Sequence, residues 1–479
     1  MIATTLHEVF PDHAAGSVLV DTDLMKKYDK PGPRYTSYPT VERFIEAYNA
    51  RTHRTTLEQR GVTWGPTAKK NLRPLSLYVH IPFCNTQCHF CGCNKVITKD
   101  HSRAASYLRH LEREFALVAG MLKGNRRVDR IHLGGGTPTF LSTDELRTLM
   151  QELGKHFALS PGEYAIEIDP RTVDDAKIAA LAELGFNRMS FGVQDFEPAV
   201  QQAVNRVQSE RETADAIDAA RKHGVPSIGV DLIYGLPRQS VAAFDRSLDK
   251  VLALKPDRIA LYGYAHLPGS FKSQRRIDAA DLPGAEIKLQ IMASATRKLL
   301  DAAYVYVGMD HFALAHDELS VAARQGHLHG NFQRYLTRQD NDLVAFGVSA
   351  VSKIGTTYCQ NVKSLDEYYD RLDRDELPVL RGIELSADDL LRRAVIQSLM
   401  YHFELSIESI EIAHLIRFGD YFADECRRLE AFARDGLVSL KPGWITVTPR
   451  GRLLVRSIAM LFDRYRTRGE QREQFANVI

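Results

Sequence analysis

The chain has 479 residues, of which 44% are hydrophobic and 25% are charged, and its net charge is +2. This length predicts about two to three domains, and this composition is ordinary for a globular protein. The small net charge gives no support for bulk nucleic-acid binding. No stretch approaches the ~18 apolar residues of a membrane-spanning helix, and the start, MIATTLHEVFPDHAAG, does not read as a secretory signal. We therefore expect a cytoplasmic protein with no membrane or nucleic-acid partner.

Residues 1–72 are expected to form an irregular N-terminal arm. This segment contains Pro31-Gly32-Pro33 followed by Arg34-Tyr35-Thr36-Ser37-Tyr38-Pro39. Prolines at this density disfavour helices and sheet interiors. One interpretation is a plain surface arm. The other, which we adopt, is that the arginine and the two tyrosines lie over the active site.

Residues 73–365 alternate short apolar runs with amphipathic segments of helical length. The predicted strands are Leu75–Phe83, Arg130–Leu133, Tyr164–Ile168, Arg188–Val193, Ser227–Tyr234, Arg258–Tyr264 and Tyr304–Met309. The predicted helices between them include Ala104–Ala119, Thr143–Phe157, Asp174–Leu184 and Glu210–His223. This pattern predicts an α/β fold, a partial or extended TIM-like (β/α) barrel. In such barrels active sites lie at the C-terminal ends of the strands.

Residues 366–479 lose that alternation and are expected to form a mainly helical C-terminal domain. Helices are predicted over Leu385–Tyr401, Ala413–Ala433 and Pro449–Tyr465. A hairpin is predicted over residues 436–447, with Pro442-Gly443 at its turn. Helices combined with a small hairpin predict a winged-helix-like module.

Six cysteines are present, and four of them fall within ten residues. Cys84, Cys88 and Cys91 follow the first predicted strand with the spacing C-x3-C-x2-C, and Cys93 comes two residues later. Clustered thiolates favour zinc or an iron–sulfur cluster. A structural zinc site takes four ligands, and Cys93 could supply the fourth. The position of the loop at a strand end argues against a free-standing zinc knuckle. The two distant cysteines, Cys359 and Cys426, are expected to fill small apolar spaces in the core.

Polar residues and glycines recur where the later strands end. Gly134-Gly135-Gly136-Thr137 follows the second strand, and consecutive glycines allow close approach of a ligand and leave N–H groups free. The other members of this set are Glu167, Gln194, Arg206 and Asp231. Any one of them could be a capping or ion-pairing residue, but together at the same ends of successive strands they favour a binding site.

The cysteine spacing resembles that of the radical S-adenosylmethionine (radical SAM) superfamily. This resemblance implies one 4Fe–4S cluster held by Cys84, Cys88 and Cys91, with an open iron that binds S-adenosylmethionine. It also implies that Phe90 packs near the adenine, for which plain loop packing is the alternative. The Gly-Gly-Gly-Thr turn is similar to the superfamily's GGE-type motif, although Thr137 stands where many relatives have glutamate.

A closer resemblance is to the oxygen-independent coproporphyrinogen III oxidases. It rests on Tyr78–Cys84, Cys91-Gly92-Cys93-Asn94-Lys95, Gly32–Thr40, Asp231–Pro237 and Gly308-Met309-Asp310-His311-Phe312. It implies oxidative decarboxylation of two propionates of coproporphyrinogen III to vinyls by a 5′-deoxyadenosyl radical. It further implies a second bound S-adenosylmethionine, an electron donor for the cluster and an unidentified electron acceptor. We expect a monomer.

The same resemblance assigns the site residues. Cofactor contacts are implied for Tyr78, Phe90, Gly135, Gly136, Thr137, Glu167, Gln194, Arg206, Asp231, Ala265 and Val351. At the last of these, relatives can carry isoleucine. Catalytic roles are expected for Cys93, Arg34 and Lys95. A tetracarboxylate substrate calls for fixed cations, which Arg34, Lys95 and Arg206 would supply.

Two other functions were weighed against this one. A heme carrier related to the family shares the three-cysteine loop but usually lacks the Cys-Gly-Cys-Asn-Lys continuation and the Arg-Tyr-Thr-Ser-Tyr arm, both of which are present here. A nucleic-acid-modifying radical enzyme would use the C-terminal module as a reader, but the near-neutral charge argues against it.

Overall fold

The computed structural model describes residues 18–60, 73–123, 125–330, 335–337 and 341–466, together with 475 and 477. Two units are distinguished. The first unit comprises Glu42–Asp231 and Asn341–Leu385, and the second comprises Met1–Val41, Leu232–Asp340 and Ser386–Ile479. The N-terminal start and the arm segment 61–72 lie outside the described residues. Within the described ranges no helix has the length and apolarity needed to cross a bilayer.

The N-terminal half of the described chain alternates strands and helices after two helices of the arm. Its elements are α1 (Thr22–Tyr28), α2 (Ala50–Gln59), β1 (Leu75–Ile81), β2 (Phe83–Cys84), β3 (Val96–Ile97), α3 (Ser102–Met121), β4 (Arg127–Gly135), α4 (Thr143–His156), β5 (Ala158–Ile168), α5 (Asp175–Glu183), β6 (Arg188–Gln194), α6 (Pro198–Ala203), α7 (Glu210–Lys222) and β7 (Ser227–Tyr234).

The C-terminal half contains further strand–helix repeats and then a mainly helical segment. Its elements are α8 (Val241–Ala253), β8 (Arg258–Gly263), α9 (Ala285–Asp301), β9 (Tyr304–Gly308), β10 (His311–Leu314), α10 (Glu318–Arg324), β11 (His329–Gly330), β12 (Tyr335–Leu336), β13 (Leu343–Phe346), β14 (Val351–Ile354), β15 (Thr357–Asn361), α11 (Leu365–Asp373), β16 (Val379–Glu384), α12 (Ala387–His402), β17 (Glu404–Ser406), α13 (Ile407–His414), α14 (Phe418–Tyr421), α15 (Ala423–Arg434), β18 (Val438–Lys441), β19 (Trp444–Val447) and α16 (Val455–Ala459).

The first unit is organised by parallel strands. β1 lies between β13 and β4, and β4, β5 and β6 follow in order, with parallel pairing throughout. On the other side of β13, the strands β14, β15 and β16 continue the sheet in antiparallel order. Because β1, β4, β5 and β6 are parallel, their C-terminal ends meet at one edge. The cysteine loop, the glycine turn, Glu167 and Gln194 all follow or end these strands.

The helices of the first unit form where capping residues and apolar spacing coincide. Ser142 and Glu145 make a capping box at the start of α4, with each side chain accepting from the other residue's N–H (3.2 and 2.8 Å). The buried residues of α4 are Leu146, Leu149, Met150 and Leu153. This spacing places one apolar stripe against the sheet, as expected for a helix packed on a strand layer.

Several strands of the second unit pair in antiparallel order. β10 pairs with β8 and with β9. β19 pairs with β17 and β18, so the hairpin predicted around Pro442-Gly443 is present with a third strand beside it. The helix α12 begins at the capping box of Ser386 and Asp389 and ends at Phe403, whose φ of 58° is left-handed. That left-handed residue turns the chain from α12 into β17.

The predicted alternation of strands and helices is confirmed, and each predicted strand overlaps an observed one. Three expectations were wrong. The arm is not wholly irregular, since Asp21 and Asn49 cap α1 and α2. The helix expected over Ala413–Ala433 is broken after His414, where Leu415 has a φ of 53°.

The break after α13 has a packing cause. Phe418 and Phe422 are buried, and both contact the ring of Phe462, at centroid distances of 6.4 and 5.4 Å.

The third wrong expectation concerns Pro449–Tyr465, where a single helix was predicted. There the short α16 is flanked by 3-10 turns at Arg452–Leu454 and Met460–Phe462.

A buried carboxylate ties α3 to the loop after β13. Glu114 is 2% exposed and accepts hydrogen bonds from Gly347 N (2.8 Å), Asn361 Nδ2 (2.7 Å) and Tyr368 Oη (2.6 Å). Burial raises the pKa of Glu114 to about 7. Each donor would be left without its acceptor if this carboxylate were removed, and buried donors without acceptors are costly.

We expect Glu114→Ala to lower the free energy of unfolding by about 2–4 kcal/mol, because three buried donors lose one acceptor group. Denaturant unfolding under anaerobic conditions measures this change. The exposed Arg109→Ala on the same helix is the matched control, with an expected change within about 0.5 kcal/mol. Equal stability of the two variants would contradict the structural role of Glu114.

Candidate active site at the cysteine loop

The cysteine loop is closed at its base by a short parallel ladder. β2 and β3 pair directly, Val96 N donates to Pro82 O (2.8 Å), and Thr98 N donates to Cys84 O (3.0 Å). The twelve residues between the paired positions Phe83 and Val96 therefore begin and end at one point, just after β1. This arrangement holds the thiols on a compact loop rather than on a free strand.

The four thiols of the loop differ in burial and in acidity. Cys88 is buried, Cys84 and Cys91 are half-buried, and Cys93 is exposed. Burial raises the pKa of Cys84 to about 11. A hydrogen bond from the Cys93 thiol, aided by Lys95, lowers the pKa of Cys91 to about 6 against the effect of burial, and the pKa of Cys93 rises correspondingly. The proton shared by this pair therefore stays on Cys93.

The glycine turn packs against the cysteine loop itself. A Cβ atom at Gly136 would lie 2.6 Å from Pro82 O, and a Cβ atom at Gly135 would lie 2.6 Å from the His80 ring. Gly135 has a φ of +116°, which side chains rarely adopt. Gly136 N donates to Ile81 O (2.8 Å) and Gly135 N donates to Glu167 Oε2 (3.1 Å), so these two N–H groups are used within the protein. The expectation that they are free was wrong.

Side chains from two other elements point donors at the cysteines. Thr137 Oγ1 donates to Cys84 Sγ at 3.4 Å, and Arg206 Nη1 lies 3.6 Å from Cys88 Sγ. Lys95 Nζ donates to the carbonyl of Cys91 (2.9 Å). Donors and positive charges at these distances stabilise thiolates over thiols.

Glu167 ends β5 and stays ionised despite its position. Its Oε1 lies 3.1 Å from His132 Nε2, and its Oε2 accepts from Gly135 N. Burial acts to raise the pKa of Glu167, but the hydrogen bond and charge of His132, together with the Gly135 N–H, outweigh burial and lower it. A fixed carboxylate therefore faces the cavity described below.

Asp169 holds two guanidinium groups beside the buried cysteine. Arg171 Nη2 and Nε donate to its two oxygens (2.6 and 2.9 Å), and Arg206 Nη1 donates to Oδ2 (3.1 Å). Arg206 also donates through Nη2 to Gly192 O (2.7 Å). Because each arginine has a fixed partner, the positive charge beside Cys88 is held in one place.

Two further polar groups reach the cavity from β6 and β7. Burial, and then the charge of Glu167, raises the pKa of Asp231 to about 7, and Ser190 Oγ donates to Asp231 Oδ2 (3.1 Å). Gln194 has a left-handed φ of 68°, and its Oε1 is buried with no hydrogen-bond partner within the described part of the chain. Such an orphaned acceptor calls for a ligand donor.

These groups line one cavity of about 330 Å³ within the first unit. The sequence-predicted residues that line it are Cys84, Cys88, Cys91, Cys93, Phe90, Lys95, Gly135, Gly136, Thr137, Glu167, Gln194, Arg206 and Asp231. Residues from β4, β5, β6 and β7 and from the cysteine loop therefore converge on one space.

Four predicted site residues lie elsewhere. Tyr78 is on β1 and its Oη lies 3.1 Å from His80 Nδ1, whereas Val351 begins β14 and pairs with Gln360. Neither of these two lines the cavity. In the second unit, Arg34 Nη2 donates to Gly263 O (3.2 Å), and Ala265 O accepts from Gln274 Nε2 (3.0 Å).

Sequence reasoning overlooked Ser190 and Gly192, which also line the cavity. Ser190, Gly192 and Gln194 follow one another on β6 at intervals of two residues, so all three face the same side of the strand. That periodicity was the available signal. A Cβ atom at Gly192 would lie 3.0 Å from Gln194 Nε2 and 3.1 Å from Arg206 Nη2, which explains the glycine.

The residues fit the cofactors implied by the cysteine spacing. Three thiols with nearby donors suit an iron–sulfur cluster held by three cysteines. The ionised Glu167, the buried acceptor of Gln194 and the guanidinium of Arg206 offer contacts of both signs to a ligand that carries an amino group and a carboxylate. The donor set thus suits both a cluster and S-adenosylmethionine.

Comparison with protein families gives two matches. The model described as "Radical SAM superfamily" matches residues 78–251. The model described as "HemN C-terminal domain" matches residues 385–454. The first match contains every residue that lines the cavity.

Similar proteins cover nearly the whole chain. The oxygen-independent coproporphyrinogen III oxidase of Pseudomonas aeruginosa is 49% identical over 96% of this chain and 98% of its own length. The enzyme of the same name from Escherichia coli K12 is 44% identical over 96% of this chain and 98% of its own length. The solved structure described as "Coproporphyrinogen III oxidase (HemN) from Escherichia coli is a Radical SAM enzyme" has a TM-score of 0.88, is 42% identical and covers 94% of this chain and all of its own.

We expect Cys93→Ser to retain the iron–sulfur cluster, because the three-cysteine spacing does not need a fourth thiolate. Serine substitution of Cys84, Cys88 or Cys91 should abolish cluster binding. Iron and sulfide quantification after anaerobic reconstitution checks this. Loss of iron in Cys93→Ser together with retention in Cys88→Ser would contradict the ligand assignment.

Proposed function

This chain belongs to the oxygen-independent coproporphyrinogen III oxidases of the radical SAM superfamily, and we propose that the cavity at the cysteine loop is where its reaction takes place. The enzyme oxidatively decarboxylates two propionates of coproporphyrinogen III to vinyls, which gives protoporphyrinogen IX. The observation that carries the location is the convergence of Cys84, Cys88, Cys91 and the strand-end polar groups on one cavity.

The chemistry demands more than ordinary side chains can supply. The hydrogen removed from a propionate β-carbon is too weakly acidic for a general base, whose pKa must approach that of the proton it takes. A 4Fe–4S cluster held by Cys84, Cys88 and Cys91, together with S-adenosylmethionine, would supply the radical chemistry that this step needs. The protein's role is to bind both cofactors and the substrate and to position them relative to one another.

The roles of the cavity residues follow from their contacts. Cys84, Cys88 and Cys91 are proposed as the cluster ligands, with Thr137 and Arg206 supplying donors to two of the sulfurs. Glu167 is suited to the methionine amino group because it remains ionised. The other proposed contacts to S-adenosylmethionine that line the cavity are Phe90, Gly135, Gly136, Gln194 and Asp231. Contacts from Tyr78, Ala265 and Val351, which are not among the residues that line the cavity, remain proposals from the family resemblance.

The substrate is a tetracarboxylate, and fixed cations are proposed to hold it. Arg34 is anchored by its hydrogen bond to Gly263 O, and its guanidinium carbon lies 5.3 Å from the Tyr262 ring centroid. Lys95 is anchored on the Cys91 carbonyl. An anchored arginine offers a planar fork to a carboxylate. Cys93 is proposed as a catalytic residue because it lines the cavity two residues beyond the proposed ligand Cys91.

The proposal also covers partners, assembly and location. We propose a second bound S-adenosylmethionine, an electron donor for the cluster and a separate electron acceptor. We also propose a monomer in the cytoplasm, because free thiols on an exposed loop persist in a reducing compartment. The arm over 1–72, the barrel over 73–365 and the C-terminal domain over 366–479 remain predictions. No observation favours the heme-carrier alternative.

We expect Arg34→Gln to raise the KM for coproporphyrinogen III by about 10- to 100-fold, because the substrate loses a charged hydrogen bond to one of its carboxylates. Substitution is a cleaner test than truncation, because Tyr35 and Tyr38 are 2% and 1% exposed and belong to the core of the second unit. The control is Lys30→Gln, an exposed cation of the same arm. Unchanged kinetics in Arg34→Gln with normal iron content would remove this residue from the substrate site.

We expect substrate deuterated at the propionate β-carbons to give deuterated 5′-deoxyadenosine, with two S-adenosylmethionine molecules consumed per tetrapyrrole. The reason is direct hydrogen transfer from carbon to the cofactor-derived radical. Mass spectrometry of 5′-deoxyadenosine from an anaerobic assay measures both quantities. Unlabelled 5′-deoxyadenosine accompanied by vinyl formation would exclude abstraction at this carbon.

A further inference from the structure

A second cavity, of about 420 Å³, lies within the second unit. Its walls come from the end of α12, the β18–β19 hairpin, β9 and the end of α10. Its volume falls in the range of small-molecule sites. None of the residues assigned to the reaction above lines it.

Positive side chains dominate the charged lining of this cavity. Arg324, Lys441 and Arg452 line it, against the single carboxylate of Glu404 among the described residues. Arg452 is 5% exposed, and its guanidinium carbon lies 4.9 Å from the Phe403 ring centroid. Burial lowers the pKa of Arg452 to about 10, so it stays charged at neutral pH. A positive charge held in a poorly solvated wall is stabilised by an anion beside it.

Aromatic rings form much of the remaining wall. Tyr306, Tyr401, Phe403 and Trp444 all line the cavity, and the rings of Tyr306 and Phe403 lie 6.2 Å apart at an angle of 31°. Tyr401 packs so tightly on the backbone at Gly330 that a Cβ atom there would lie 2.2 Å from its hydroxyl. Trp444 is 45% exposed at the rim. The three tyrosine and phenylalanine rings are buried and make a rigid wall, while the exposed ring of Trp444 suits contact with a flat conjugated ligand.

His402 adds a polar group without adding charge. It lines the cavity, and its Nδ1 is buried with no hydrogen-bond partner among the residues that the structure describes. Burial lowers its pKa to about 4, so the imidazole is neutral at neutral pH. A neutral imidazole can donate from one nitrogen and accept at the other.

We propose that this cavity is a second ligand site, which binds one edge of a planar aromatic carboxylate. This inference rests on the proposed function, because the tetrapyrrole released by the enzyme becomes planar when an electron acceptor such as dioxygen takes hydrogen from its bridging carbons and from two of its ring nitrogens. The oxidised form of the product is therefore a porphyrin with free carboxylates, and it belongs to this class of ligand. Its carboxylates would face Arg324, Lys441 and Arg452, and its ring would lie against Trp444.

The test uses Trp444 as its own reporter. The chain has two tryptophans, and Trp64→Phe leaves only Trp444 to fluoresce. Protoporphyrin IX titrated anaerobically into the cluster-loaded Trp64→Phe enzyme should quench this fluorescence to saturation. The dimethyl ester of protoporphyrin IX, which has the same ring without charge, should bind at least about tenfold more weakly.

Matched variants localise the site. Arg324→Ala combined with Lys441→Ala should weaken protoporphyrin binding about tenfold or more, whereas Lys123→Ala, an exposed cation of the first unit, should not. Equal affinity for the ester, an unchanged affinity in the double variant, or quenching by ATP but not by protoporphyrin would each overturn the proposal. Decarboxylation is assayed in parallel. Lack of turnover in the unsubstituted enzyme would refute the proposed function, whereas loss of quenching with normal turnover would refute only this second site.

Discussion

The close approach of the glycine turn to the cysteine loop is the constraint on which the active site depends. Gly136 lies so near the backbone of Pro82 that no side chain fits between them. Two backbone hydrogen bonds, Gly136 N to Ile81 O and Thr137 N to Phe83 O (2.8 and 2.9 Å), fasten the turn to the start of the loop. This contact brings the Thr137 hydroxyl to Cys84 Sγ and sets one wall of the cavity.

Fixed charges of both signs line that cavity. Asp169 fixes the guanidinium groups of Arg171 and Arg206 near Cys88. Glu167 remains ionised, and Asp231, whose pKa is raised by burial, is held by Ser190. A site with fixed charges of both signs can orient a zwitterionic amino acid group without moving its own side chains.

The sequence allowed the strand–helix order and most of the cavity residues to be predicted, because parallel strands bring their C-terminal ends together. It did not predict the antiparallel strands β14–β16, whose short apolar runs resemble many loops. Ser190 and Gly192 were overlooked because neither residue type signals a site by itself. The break after α13 depends on burying Phe418 and Phe422 against Phe462, a contact between residues distant in sequence. Such tertiary contacts override local helix preference.

The three consecutive glycines should differ in how much substitution they tolerate. At Gly134 a new methyl group would meet the Glu167 carboxylate at 2.8 Å, a side-chain end that can shift at the expense of its own contacts. At Gly136 the same methyl group would meet the Pro82 carbonyl, which is main chain and cannot move without displacing the cysteines. At Gly135 the φ angle of 116° is one that residues with a side chain rarely adopt, so substitution there strains the backbone. The three positions should therefore differ in the substitutions that evolution accepts. Alanine is easiest to accommodate at Gly134, and Gly136 should not tolerate it.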